Sequence, residues 1–161
     1  MVYFNEKVMK ANTFEKFLKK RKEEQEQEQE LDWEQREIQW IALVNDFYNN
    51  IKKWLNPFIS SGLLVIREDA WTNSDDEYLG KYDIKKLNII IGKKDIITLT
   101  PRGKFVVGGY GRIDMRGPQG AISIILKNGS TWKFKNMVTL VEYEDVNAKS
   151  FESVIQDLIN G

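Results

Sequence analysis

Between Phe14 and Pro57 the chain has neither glycine nor proline, and only the second half of that stretch carries an apolar repeat. A run of this length without a breaker, with Asn12 and Glu15 at the spacing of a helix cap, predicts a long helix. Its first half, 16–30, is almost wholly charged or amide residues and closes on Glu23-Glu24-Gln25-Glu26-Gln27-Glu28-Gln29-Glu30. With no apolar face to bury, residues 1–31 are expected to form a charged helical extension that projects into solvent or frays. The second half is different. Trp33, Trp40, Val44, Phe47, Ile51, Trp54 and Phe58 follow steps of seven, four, three, four, three and four, and Ile41, Tyr48 and Leu55 widen the seam. Such a stripe can pack on the chain's own sheet, or it can use Trp33 and Trp40 to associate with another copy. Asn56-Pro57 should bend or end this helix, giving it the span 32–58, and Ser60-Ser61-Gly62 should turn the chain.

Beyond the turn the periodicity changes to two. Strands are predicted at 63–67, 87–91, 95–99, 104–107, 111–116, 121–127, 131–135 and 138–143. Asn128-Gly129 between two alternating runs is a strong hairpin signal, and Gly117-Pro118-Gln119-Gly120 supplies the turn before it. Phe151, Val154, Ile155 and Leu158 mark a short closing helix over 150–160. A chain of 161 residues with 19 aromatics can fill one core. The expected class is therefore α+β. A long N-terminal helix would precede an antiparallel β-roll or barrel of seven to eight strands and a short C-terminal helix, with 32–161 as a single domain. The strand count and closing helix match a pleckstrin-homology-like barrel at the level of fold analogy, which carries no function.

Two segments, Trp54-Leu55-Asn56-Pro57-Phe58-Ile59 and Gly111-Arg112-Ile113-Asp114-Met115-Arg116-Gly117-Pro118-Gln119-Gly120, resemble a family of small bacterial cytosolic proteins of uncharacterised function. The resemblance spans roughly Trp40 to the end and leaves out the charged helix. It implies a bacterial cytosolic protein and brings no catalytic residue with it.

Composition narrows the chemistry. The chain has no histidine and no cysteine, so it can build no Ser-His-Asp triad, thiolate nucleophile, disulfide or His/Cys zinc site. The absence of cysteine agrees with a reducing compartment. The first residues show no basic region leading into an apolar segment, and no run nears the ~18 to 20 apolar residues that cross a bilayer. A cytoplasmic protein without a membrane partner is expected. Catalysis would fall to carboxylates holding a hard cation, for which the acidic stretch containing Glu68, Asp69, Asp75, Asp76, Glu77 and Asp83 is the candidate; its spacing matches no calcium loop, and a solvated loop is the simpler reading. The cluster Gly108-Gly109-Tyr110-Gly111 fits neither nucleotide pattern. Asp114 stands where the dinucleotide motif needs glycine, and Gly109 where the P-loop needs lysine, so a bulge or strand bend is expected there.

Net charge is zero overall, but Arg102, Lys104, Arg112, Arg116, Lys127, Lys133 and Lys135 face a single acid, Asp114, between Pro101 and Lys135. Alternation places Ile113, Met115, Ile122, Ile124, Leu126, Trp132 and Phe134 on one side and gathers the charge on the other. That side reads as a solvated sheet face, or as a basic surface for an acidic protein, an anionic ligand or nucleic-acid phosphates. The expected function is a non-enzymatic macromolecular interaction module, such as a regulatory, immunity-type or defence-system accessory protein. It would need no cofactor and no metal. Its candidate partner-binding residues are Arg112, Asp114, Arg116, Lys127, Lys133, Lys135, Trp33 and Trp40. The partner would be another protein, or a second copy through the N-terminal helix. Nucleic-acid binding through the basic face is the alternative, and a magnesium-dependent carboxylate enzyme a remote one.

Overall fold

The computed structural model describes residues 2–76, 80–103, 111–127, 131–135 and 143–161. Helix α1 spans Val2–Ser60, and within it the chain divides into two compact units, Met1–Glu37 and Ile38–Gly161. The first unit is helical from Val2, so Asn12 lies inside the helix instead of capping it. Nothing upstream breaks the helix, and ion pairs at helical spacing stabilise the stretch beyond Asn12: Lys19 with Glu15 at 3.3 Å and Arg21 with Glu24 at 3.3 Å.

In the second unit α1 continues through Pro57 to Ser60. A proline this close to a helix end removes one hydrogen bond where few remain to be lost. Gly62 does the stopping. At φ 74° it takes the left-handed conformation that favours glycine, while its N–H donates to the Ile59 carbonyl at 3.1 Å and Leu63 N–H donates to Phe58 at 2.9 Å.

Among the described residues seven strands come next: β1 (Leu64–Asp76), β2 (Gly80–Ile91), β3 (Asp95–Gly103), β4 (Gly111–Gly117), β5 (Gly120–Lys127), β6 (Thr131–Lys135) and β7 (Tyr143–Asp145), then α2 (Ala148–Asn160). Their ladders are all antiparallel and run in chain order from β1 to β7. No ladder among these residues joins β1 to β7. The α+β class holds, and the sheet takes the open, strongly curled form, not the closed barrel. The expected strand over 104–107, most of that over 138–143 and the Asn128-Gly129 turn lie outside the described residues. Lys127 pairs with Thr131 on either side of that turn.

One face of the sheet receives both helices. Trp40, Val44, Phe47, Tyr48, Ile51 and Leu55 of α1 are buried with Leu87, Ile89, Ile97, Leu99, Ile113, Met115, Ile124, Leu126 and Phe134. Phe47 stacks on Trp132 with ring centres 4.6 Å apart. The apolar seam of α1 thus packs on its own sheet. Trp40, which the sequence offered as a candidate partner-binding residue, is fully buried against that sheet, so its side chain is not presented to a partner. Its ring lies so close to β4 that a Cβ on Gly111 would come within 2.4 Å of it. The side chain of Trp33 lies outside the described residues.

α2 is set by local chemistry at both ends. Asn147 caps it, accepting from Ser150 N–H at 2.9 Å while Ser150 Oγ accepts from Asn147 N–H at 2.9 Å. At the other end Gln119 N–H, in the β4–β5 turn, donates to the Leu158 carbonyl at 2.8 Å, and a Cβ on Gly117 would meet that carbonyl oxygen at 2.8 Å. The turn glycine allows the helix to lie directly on the hairpin.

The acidic stretch expected as a loop is largely strand. β1 and β2 pair from Leu64↔Ile91 to Asn73↔Tyr82, and the buried side changes along the hairpin. Near its base Leu64, Leu87 and Ile89 face the helices. Farther out Asn73, Tyr82 and Ile84 are buried on the opposite side, and Asn73 Nδ2 donates to the Arg102 carbonyl of β3 at 2.8 Å. The hairpin curls over the second face of the sheet. Polar residues in its inward positions hid this from a reading by hydrophobic alternation.

Candidate functional site

The face turned away from the helices carries the charged positions of β4, β5 and β6. Pro101 shapes its centre. A proline has no N–H for the ladder, and the β3–β4 register slips between Pro101 and Gly103, leaving Arg102 as the bulged residue. Arg102 Nε donates to Asp114 Oδ2 at 3.0 Å, and its guanidinium lies 5.8 Å from the centre of the Trp71 ring. Asp114 also accepts from Ser123 Oγ at 3.3 Å. Arg112 Nε sits 3.2 Å from Asp114 Oδ1 but is buried and makes no hydrogen bond there, so this contact is an ion pair held off the N–H axis. One carboxylate therefore serves two guanidiniums.

The surrounding lysines are engaged as well. Lys133 forms an ion pair with Asp145 across the β6–β7 register. Lys127 and Lys135 are half-buried, and both have interaction partners. Ser123 and Ile125, between the charged rows, are each only 5% exposed. This corrects the expectation of a solvated basic face. Arg112, Asp114, Lys127, Lys133 and Lys135 form a partly covered, internally compensated layer, and of the described basic residues in this set only Arg116 is exposed. The curl of the sheet is the physical cause: it brings the β1–β2 hairpin over strands that alternation alone leaves open to water.

Toward the other end of the face the character changes. Arg67, Asn88, Thr98 and Arg116 are register partners in succession across β1 to β4. Asn88 donates to Asp69 and accepts from Thr98 Oγ1 at 2.7 Å, while Arg67 Nε reaches Asp69 Oδ2 at 3.1 Å. The adjacent row is apolar: Val65 pairs with Ile90 and Ile90 with Ile96. Val65 is 57% and Ile96 45% exposed. A three-strand apolar row thus borders a polar row that ends in an arginine on each side. Sequence reasoning missed it. The available signal was the unbroken apolar runs Leu63-Leu64-Val65-Ile66, Ile89-Ile90-Ile91 and Ile96-Ile97, which must put apolar side chains on both faces of their strands.

The candidate carboxylates do not converge. Glu68 pairs with Lys52 at 2.7 Å and Lys85 at 3.6 Å, Asp83 accepts from Thr72 Oγ1 at 2.6 Å, and Asp69 is held in the Asn88 network. Among the described residues no three acidic side chains are grouped to hold a metal ion. Glu77 and the side chains of Asp75 and Asp76 lie outside them, as do Gly108, Gly109 and Tyr110. Comparison with family models, curated proteins and solved structures finds no match.

Proposed function

We propose that the protein is a non-enzymatic cytoplasmic interaction module that docks a protein partner on the row Val65, Ile90 and Ile96. Carboxylates of the partner would meet Arg116, an exposed cation at its border. The exposure of this row carries the reading. Single apolar side chains on a surface are ordinary, whereas three in register across adjacent strands, rimmed by polar groups, form the core-and-rim pattern of an interface. The nucleic-acid alternative needs cations free to meet phosphates, and Arg102, Arg112 and Lys133 already hold carboxylates.

Val65→Ser with Ile96→Ser tests the proposal. Wild-type and variant proteins are used to capture partners from host lysate, with and without nuclease, and the captured protein is then titrated directly. Apolar anchors at the centre of an interface cost more than about 1 kcal/mol each when truncated, so affinity should fall by roughly tenfold or more. A variant that keeps every wild-type partner at unchanged affinity overturns the assignment. Tight binding of a generic duplex or single strand at near-physiological salt, lost in Arg116→Gln, would move the function to nucleic acid.

A further inference from the structure

The N-terminal unit has a second surface of its own. On α1, Phe14, Phe17 and Leu18 occupy positions i, i+3 and i+4, which lie on one side of a helix. All three are exposed, at 61%, 59% and 49%, and the two phenylalanine rings stack with centres 6.5 Å apart. Five of the seven residues from Lys16 to Lys22 are basic: Lys16, Lys19, Lys20, Arg21 and Lys22. All are exposed. From Met1 to Lys22 the sequence has seven basic residues against two acids.

We propose that this segment adsorbs to an anionic lipid surface, with Phe14, Phe17 and Leu18 in the headgroup–acyl boundary and the lysines on the phosphates. Aromatic and leucine side chains on one side, with a dense basic border, are the features that hold an interfacial helix on a membrane. Charge selects the anionic surface. Beyond Leu18 the stripe stops, because Arg21, Gln25 and Glu28 occupy the next helical repeats, so no continuous seam for a second copy runs from it into the aromatic half of α1. No described helix is long and apolar enough to cross a membrane, as befits a segment that lies on one. This revises the expectation of no membrane partner from spanning segments to surface contact.

The test is flotation of the full-length protein with vesicles of phosphatidylcholine alone or mixed with phosphatidylglycerol. Wild type should float with the mixed vesicles and not with the neutral ones. Phe14→Ser with Phe17→Ser, which leaves the charge unchanged, should reduce partitioning by roughly tenfold or more. Each cation near an anionic surface contributes about fivefold, so replacing Lys16, Lys19, Lys20 and Lys22 with Gln should lower partitioning by nearly three orders of magnitude, roughly six-hundredfold. Circular dichroism confirms that each variant keeps its helix content. Failure of wild type to bind mixed vesicles overturns the proposal. So does undiminished binding by the serine variant, which would reduce the contact to charge alone, or a shift from oligomer to monomer in that variant without vesicle binding, which would make the face a copy-to-copy contact.

Discussion

At the scale of single residues, Asp114 decides how the charged face behaves. Its carboxylate faces Arg102 at 3.0 Å and Arg112 at 3.2 Å, and its side chain is 24% exposed against 37% and 38% for the two arginines. Removing it leaves two cations partly desolvated and facing each other, whereas removing an exposed cation releases nothing. Asp114→Ala should therefore lower stability by about 1–2 kcal/mol, a figure reduced from that of fully buried pairs because the arginines keep contact with water. Arg116→Gln should stay within about 0.5 kcal/mol. Chemical denaturation of the two variants checks the contrast, and equal losses would mean that the cluster is no more than a surface ion pair. The sequence shows Asp114 as the single acid among many bases but not which bases it serves. That choice depends on the bulge at Arg102, and the signal for the bulge was Pro101.

Between elements, α1 is clasped to the β1–β2 hairpin by a polar contact amid apolar packing. Tyr48 on the helix donates its hydroxyl to the Lys85 carbonyl at 2.7 Å, and Lys52, one helical turn on, reaches Glu68 at 2.7 Å. Burial, and secondarily the charge of Glu68, holds the Tyr48 phenol protonated far above its ordinary value of 10.0. The unfolded chain ionises this phenol near its ordinary value while the folded chain does not. Its contribution is therefore intact below about pH 10 and declines above it, by up to about 1.4 kcal/mol per pH unit. Tyr48→Phe should lose about 1 kcal/mol at neutral pH and show a flatter decline between about pH 9 and 11 in urea midpoints. A slope equal to wild type would refute the linkage. The sequence made the helix, the β4–β6 meander and α2 legible because each repeats a period and is closed by turn residues. The outer halves of β1 and β2 were not legible. There Asn73 faces inward and satisfies itself on Tyr82 and Arg102, so a buried position carries a polar residue that reads as loop.

For the whole molecule, the division at Glu37 and Ile38 separates a charged helical unit from one that contains the aromatic core. Because the second unit begins just before Trp40 and includes every core residue among the described residues, a chain starting at Ile38 should unfold cooperatively. Its urea midpoint should lie close to that of the full chain, and its vesicle binding should be lost. A non-cooperative transition in the shortened chain would show that the core depends on residues before it. The strand order adds a consequence for synthesis. Each strand pairs with the one made just before it, so the sheet can grow hairpin by hairpin as the ribosome delivers it. The helix cannot keep that schedule. Phe47 waits for Trp132, and Trp54 for Phe151, on the order of ten seconds of translation, with the whole apolar stripe made and its cover still missing. Over that interval the nascent stripe is exposed apolar surface, the kind of segment on which ribosome-associated chaperones act.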